Sequence, residues 1–190
     1  MVENLLTSIR QCEICKDLPL GPRPIIQASA KSKILIAGQA PGQITHRKGI
    51  PFDDPSGERL RQWLGVERKA FYDRENFAVV PMGFCYPGKG KSGDLPPRLE
   101  CAENWHDELL TSLQNIELKL IIGQYALAYY LGDKCEKTLT ETVLNWQTHW
   151  PEILPLPHPS PRNISWFKRN GWFEAEVLPI LRQRVRAVLG

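Results

Sequence analysis

The sequence predicts an α/β fold, a three-layer α/β/α sandwich around a four-stranded parallel sheet. Four short apolar runs, at residues 34–38, 77–81, 118–123 and 153–156, have the composition of buried strands. Segments with apolar residues at helical spacing separate these runs, and such alternation of strands and helices is typical of a parallel sheet. A chain of 190 residues is long enough to bury one core. We therefore expect a single domain spanning residues 1–190.

The expected helices flank these strands. Apolar side chains recur at helical spacing over residues 2–12, 57–64, 98–115, 124–131, 138–145 and 172–189. Ser56 is expected to be the N-cap of the second of these helices. Leu99 is assigned to the apolar side of the third. Residues 43–57 are predicted to form a polar loop.

The composition is ordinary for a globular protein, with 42% hydrophobic and 24% charged residues. A formal net charge of +3 permits a polyanionic partner without requiring one. No apolar run reaches the roughly 18 residues of a membrane-spanning helix, and the first residues lack the pattern of a signal peptide. We therefore expect a cytoplasmic protein with reduced thiols.

Two proline-containing turns stand out because each follows an apolar run. Residues 38–42 (GQAPG) follow the first predicted strand, and His158 lies in the segment LPLPHPSPRN at residues 154–163. Ligands of open α/β sheets bind beyond the carboxyl ends of the strands. The two turns are therefore predicted to line one pocket, although an ordinary strand-to-loop turn is the alternative for each of them.

Four of the five cysteines form two pairs, Cys12-x2-Cys15 and Cys85-x15-Cys101, whereas Cys135 stands apart. A CxxC pair presents two thiolates to one metal site. Four thiolates suit either Zn²⁺ or an iron–sulfur cluster. In this interpretation the metal ties the first helix to the loop that follows the second strand. The alternative is that these cysteines are small buried hydrophobic residues.

The ordered motifs resemble those of the uracil-DNA glycosylase superfamily. They are Gly38-Gln-Ala-Pro-Gly42, Gly49-Ile-Pro-Phe52, Ser56-Gly57 and His158-Pro-Ser-Pro161. The sequence is most similar to the iron–sulfur branch called family four, with a glutamine variant of the first motif. The resemblance implies a uracil-DNA glycosylase-like fold, and a [4Fe–4S] cluster rather than zinc on Cys12, Cys15, Cys85 and Cys101.

The resemblance also implies roles in excising a base that has been extruded from the DNA duplex. Phe52 would stack on the base, and His158 would donate to the carbonyl on which charge develops. The rest of the base pocket would come from Gly38, Ala40, Pro41, Gly42 and Val80. A phenylalanine in the core and a structural histidine are the alternatives.

Contacts to DNA phosphates are assigned to Ser160 and Arg162, and to Lys89 and Lys91 of the loop at residues 83–93. Solvated lysines are the alternative for that loop. His46, Arg47 and Lys48 are expected to extend the same surface, and Asn163 is expected to cap a helix. The expected partner is DNA containing a deaminated base, bound by a monomer.

Two departures from the family pattern affect these roles. The family's glutamate is Gln39 here, and an amide can orient water but cannot accept its proton. The family's base-reading asparagine aligns with Val80. Asp53 or Asp54 is the hypothetical replacement carboxylate, so the predicted catalytic set is Gln39, His158, Asp53 and Asp54.

Three hypotheses follow from the sequence. The first is a DNA glycosylase that hydrolyses the N-glycosidic bond of uracil or another deaminated base. The second is a catalytically weak or inactive iron–sulfur module that recognises DNA lesions, and the two departures favour it. The third is a hydrolase of free nucleosides or nucleotides, which the small basic excess allows.

Overall fold

The computed structural model describes residues 2–190. Its centre is a four-stranded parallel sheet in the order β2-β1-β3-β4, which confirms the predicted fold class. The strands are β1 (Ile34–Ala37), β2 (Phe77–Val79), β3 (Leu118–Ile122) and β4 (Ile153–Leu156). Ile34 of β1 pairs with Phe77 on one side and with Leu118 on the other. Because the sheet is parallel, all four carboxyl ends lie at one edge.

Helices cover both faces of the sheet. They are α1 (Val2–Arg10), α2 (Gln43–Lys48), α3 (Pro55–Leu64), α4 (Arg68–Tyr72), α5 (Asp107–Ser112), α6 (Gly123–Leu131), α7 (Leu139–Leu144), α8 (Ile164–Arg169) and α9 (Leu178–Leu189). π-Helical turns, Ala102–His106 and Phe173–Val177, precede α5 and α9. Short 3₁₀ turns lie at Gly132–Lys134, Trp146–His149 and Pro161–Asn163. Within residues 2–190, no helix combines the length and the apolar character needed to cross a membrane.

Alternation along the strands produces the three layers, because successive side chains point to opposite faces. Ile34 and Ile36 pack with apolar residues of α3 and α9 on one face. Leu35, between them, packs with α1 and α5 on the other face. Helix α6 covers the sheet near Ala37. This burial of both faces explains why the strands are apolar runs rather than alternating ones.

The local predictions need four corrections. Asp54, not Ser56, is the N-cap of α3, because its carboxylate accepts a hydrogen bond of 2.8 Å from the Gly57 amide. The predicted polar loop contains α2, a short helix of mostly polar sequence in which Thr45 and His46 are buried. Leu99 precedes the helix it was assigned to and is 70% exposed. Helices α4 and α8 were not predicted, since each spans fewer than two turns.

His106 is a fully buried histidine beside the loop that follows β2. Its Nε2 donates to the Pro81 carbonyl at 3.1 Å, and its ring stacks on Phe84 with 5.4 Å between centroids. Its Nδ1 has no partner among the described residues. Burial lowers the pKa of this imidazole to about 4, since a protonated Nδ1 would place an unpartnered charge in the interior.

We expect the free energy of unfolding to fall as the pH is lowered from about 6.5 to about 4. In this window the unfolded chain binds a proton at His106 that the folded chain excludes, so the free energy of unfolding rises with pH. The contribution of His106 is fully present above about 6.5. His106→Gln keeps a donor for Pro81 and should flatten this dependence, as measured by urea denaturation at several pH values. A slope unchanged from the wild type would contradict the assignment.

Candidate functional site

A cavity of about 660 Å³ opens at the carboxyl edge of the sheet. Its volume lies in the usual range of ligand pockets, roughly 300–1,000 Å³. The turn after β1 contributes Gly38, Gln39, Ala40, Pro41 and Gly42, and the segment after β4 contributes His158, Ser160 and Arg162. The two proline-containing turns therefore line one space.

Phe52 forms one wall of the cavity and is held from three sides. Its backbone has a positive φ of 54°, its ring packs edge-on against Phe71 at 6.4 Å, and its carbonyl accepts from Arg61 at 3.3 Å. Gly57 lies against the Phe52 backbone, with no room for a Cβ. A non-glycine residue in this strained conformation persists only because its surroundings fix it. The ring is therefore a rigid flat surface.

His158 also lines the cavity, in a segment stiffened by hydrogen bonds. Its Nδ1 accepts from the Ser160 amide at 3.1 Å, so the neutral ring carries its proton on Nε2. Burial lowers the pKa of His158, while Asp54 raises it in part. Asn163 occupies the N-cap position of α8, as predicted, but its side chain makes no capping hydrogen bond and instead donates to the His158 carbonyl at 2.9 Å. Arg59 donates to the carbonyls of Pro159 and Ser160.

The Gln39 amide connects the first turn to the loop after β2. Its Nε2 donates to the Leu95 carbonyl at 2.8 Å, a bond that a glutamate at this position could not make. The amide oxygen, Oε1, remains as an acceptor. Gln39 therefore ties the first turn to a neighbouring loop.

The two proposed carboxylates have different surroundings. Asp54 lines the cavity, and one of its oxygens caps α3. Asp53 is not among the lining residues and pairs with Arg68 at 2.7 Å and with Lys48 at 3.3 Å. The hydrogen bond from Arg68 is the main reason that its pKa is lowered. Asp53 is therefore placed to fix the loop before α3, not to contact a ligand in this cavity.

Val80 lies away from the cavity. It is fully buried in the apolar layer beneath α1 and α5, whereas its neighbours Val79 and Pro81 line the cavity. Alternation along the strand explains this placement. The prediction that Val80 contacts a base is wrong, and β2 presents only apolar side chains to the cavity.

The predicted DNA-binding cations are divided between the cavity rim and the solvent. Lys89 and Arg162 line the cavity with Ser160, whose hydroxyl oxygen accepts from the Arg162 amide. Lys91 is exposed beyond the rim. His46 is buried against Tyr86 rather than on the surface, because α2 turns it inward. Arg47 and Lys48 are exposed.

Several cavity residues were not predicted from the sequence. They include Thr45, Tyr86 and Asp94. Tyr86 belongs to the glycine-rich loop at residues 83–93, to which only phosphate contacts were assigned, and Asp94 directly follows that loop. No spacing rule identifies them, because their position depends on how that loop folds back toward the first turn.

The four paired cysteines lie in a separate region. Cys85 accepts a hydrogen bond from the Arg23 amide, and Cys101 accepts one from the Phe84 amide, each at 3.3 Å. Burial raises the pKa of Cys85 to about 11 and that of Cys101 to about 12, and charges on the other paired cysteines raise them further. Cys135 stands apart and donates to the Leu127 carbonyl.

Arg98 joins two of the cysteine-bearing segments. It pairs with Asp17, two residues after Cys15, and with Glu100, which precedes Cys101. Within residues 2–190, no three His, Cys, Asp or Glu side chains are grouped closely enough to hold a single metal ion.

A family model described as the uracil DNA glycosylase superfamily matches residues 26–182. The match includes all four strands and both turns that line the cavity. It begins after Cys12 and Cys15, so one of the two cysteine pairs lies outside it.

We expect Gly57→Ala to destabilise the protein by about 3 kcal/mol, because the new Cβ would meet the Phe52 Cβ at 2.7 Å and collide with its carbonyl. Gly171→Ala is the matched control, since a Cβ there meets nothing within 4 Å. Guanidinium denaturation of both variants measures the difference. Equal stabilities would show that Phe52 is not held by this contact.

Proposed function

The chain belongs to the uracil DNA glycosylase superfamily, and from this premise we propose that it excises uracil or another deaminated base from DNA. The reaction is hydrolysis of the N-glycosidic bond, the first step of base excision repair. One observation supports this above the others: a rigid aromatic ring, Phe52, and a neutral histidine, His158, line the same cavity at the carboxyl edge of the sheet.

The cavity suits a base that has left the duplex. The Phe52 ring offers a stacking surface, and the backbone of residues 38–42 forms the adjoining wall. As the C1′–N bond breaks, negative charge develops on the base, and the His158 Nε2–H donates to its carbonyl oxygen. Burial lowers the pKa of His158, which favours the neutral ring, and the Ser160 amide keeps the proton on Nε2. Because this donor is already in place, no solvent reorganisation is needed as the charge develops.

The attacking water needs an acceptor near the sugar. The Gln39 Oε1 and the second oxygen of Asp54 both belong to cavity residues. An amide oxygen such as Gln39 Oε1 cannot take the proton of that water. Asp53 has no part in this step, because its carboxylate is paired with Arg68 and Lys48 outside the cavity.

Binding of the DNA backbone would involve the cations near the cavity mouth. Arg162 and Lys89 line it, Ser160 lies beside them, and Lys91 projects beyond it. Contacts of this kind place the duplex without reading its sequence, and they weaken as salt is added. We propose that a monomer makes these contacts.

We further propose that Cys12, Cys15, Cys85 and Cys101 hold a [4Fe–4S] cluster, with zinc as the alternative. Backbone amides donate to the sulfurs of Cys85 and Cys101, and such donors would stabilise thiolates. Burial raises the pKa of both thiols, so a bound metal would have to supply the positive charge that keeps them deprotonated. When bound, the group would join the first helix to the loop after β2. Reduced, metal-bound thiols suit a cytoplasmic protein.

A second candidate function is lesion recognition without excision on the same fold. Two observations favour it: the Gln39 amide is bonded to Leu95, and β2 presents no polar side chain for reading a base edge. A protein of this kind would bind damaged DNA and leave the glycosidic bond intact.

We expect the protein to produce alkali-labile abasic sites in uracil-, hypoxanthine- or xanthine-containing oligonucleotides, as resolved on denaturing gels. His158→Ala should lower the excision rate by about 10²–10³-fold, because the leaving base loses its hydrogen-bond donor. His149→Ala is the control, since this histidine lies in the Trp146–His149 turn and does not line the cavity. Salt-sensitive binding without excision on every substrate would favour the recognition module.

The purified protein should be brown, with a broad absorbance near about 400 nm from iron–sulfur thiolate bonds. Cys101→Ser should remove this absorbance, and Cys135→Ser, outside the proposed ligand set, should retain it. Metal analysis provides the second readout. A colourless protein containing stoichiometric zinc would overturn the choice of cluster.

A further inference from the structure

The loop between Cys85 and Cys101 folds into a small hairpin at the cavity mouth, which we call the 88–95 hairpin. The Leu95 amide donates to the Gly88 carbonyl at 2.9 Å, and Gly90 donates to Gly93 at 2.6 Å. Lys89 and Asp94 pair across it in an antiparallel bridge. The Gln39 amide donates to the Leu95 carbonyl at 2.8 Å and so ties the hairpin to the first turn.

Asp94 is thereby held over the first turn. A Cβ placed on Gly42 would lie 3.6 Å from the Asp94 Oδ2, so the carboxylate reaches the backbone that forms the cavity wall. Asp94 itself lines the cavity. Within residues 2–190 no hydrogen bond to its carboxylate is found, and both oxygens therefore remain available as acceptors.

Two cations face Asp94 without contacting it directly. Surrounding protein atoms raise its pKa, while Arg162 and then Lys89 oppose that rise. Neither cation forms an ion pair with it among the described residues. A carboxylate that lines the cavity, has both oxygens free as acceptors and has a raised pKa is a suitable proton acceptor.

Asp54 is less suited to that task, although it also lines the cavity. One of its oxygens accepts from the Gly57 amide and caps α3. Its charge also acts on His158, whose pKa it raises in part. Protonating Asp54 would weaken the helix cap, whereas protonating Asp94 breaks no hydrogen bond.

We propose that Asp94 is the general base of the excision reaction and that Gln39 positions it by holding the 88–95 hairpin. This inference rests on the proposed function. A water oxygen bonds to C1′ as the C1′–N bond breaks, and the bond's electron pair leaves with the base, which is stabilised by the His158 Nε2–H. Asp94 takes the proton released by the water. The products are an abasic deoxyribose and the free base, which is protonated from solvent as Asp94 returns its proton there.

The test compares single-turnover excision with DNA affinity. Asp94→Asn should lower the excision rate at least 100-fold. Its affinity for DNA with a tetrahydrofuran abasic analogue, measured by fluorescence anisotropy, should stay equal or become tighter, since a negative charge facing DNA is removed. Asp133→Asn removes an exposed carboxylate that does not line the cavity and should change neither quantity.

The role of Gln39 is tested by combining variants. Gln39→Ala should slow excision in the wild-type background and have little further effect in Asp94→Asn, because both changes remove the same positioned base. A merely structural role would instead slow both backgrounds by the same factor. Additive effects would overturn the assignment of Gln39 as a positioning residue.

Other outcomes overturn the proposal for Asp94. A rate for Asp94→Asn within threefold of wild type, or equal losses in rate and affinity, would eliminate it as the base while the glycosylase function stands. Wild-type protein that excises no base from the uracil, hypoxanthine and xanthine substrates would overturn the proposed function itself, and the inference with it.

Discussion

The parallel hydrogen bonding of β1 to both of its neighbours is the constraint on which the site depends. With β1 between β2 and β3, and β4 beyond β3, every strand ends at the same edge. Segments distant in sequence, such as residues 38–42 after β1 and His158 after β4, then leave the sheet at the same edge, although β3 separates the two strands, and both line the cavity. A strand reversed in this sheet would send its loop to the opposite edge and divide the cavity.

The walls of the cavity are rigid for different local reasons. Phe52 is fixed by packing and by the absence of a side chain at Gly57. His158 is fixed by hydrogen bonds within its own loop. Rigid donors and surfaces stabilise developing charge without reorganisation, which is the main advantage of a protein site over water. The two walls therefore support one interpretation of the cavity, as a site for a flat leaving group.

The cysteine region and the cavity share a segment of chain. Cys85 and Cys101 stand at the two ends of the loop that contains the 88–95 hairpin. The proposed cluster would hold both ends of this loop, and Gln39 holds its middle through the Leu95 carbonyl. Loss of the proposed cluster would thus loosen the 88–95 hairpin at the cavity, without any direct contact between the two sites.

The amino-acid sequence by itself determined the α/β class, the four strands and the prediction that the two turns line one pocket. Apolar runs and the alternation of strands with helices are local patterns, and general rules of parallel sheets then place the turns at one edge. It also identified Phe52 and His158 as candidates. Only the tertiary structure decided that Asp53 forms an ion pair with Arg68, that Val80 faces the core, and that the Asp94 carboxylate lies beside Gly42. Each of these three placements depends on which distant segment lies beside the residue and on the direction of its side chain. The local sequence pattern determines neither of them.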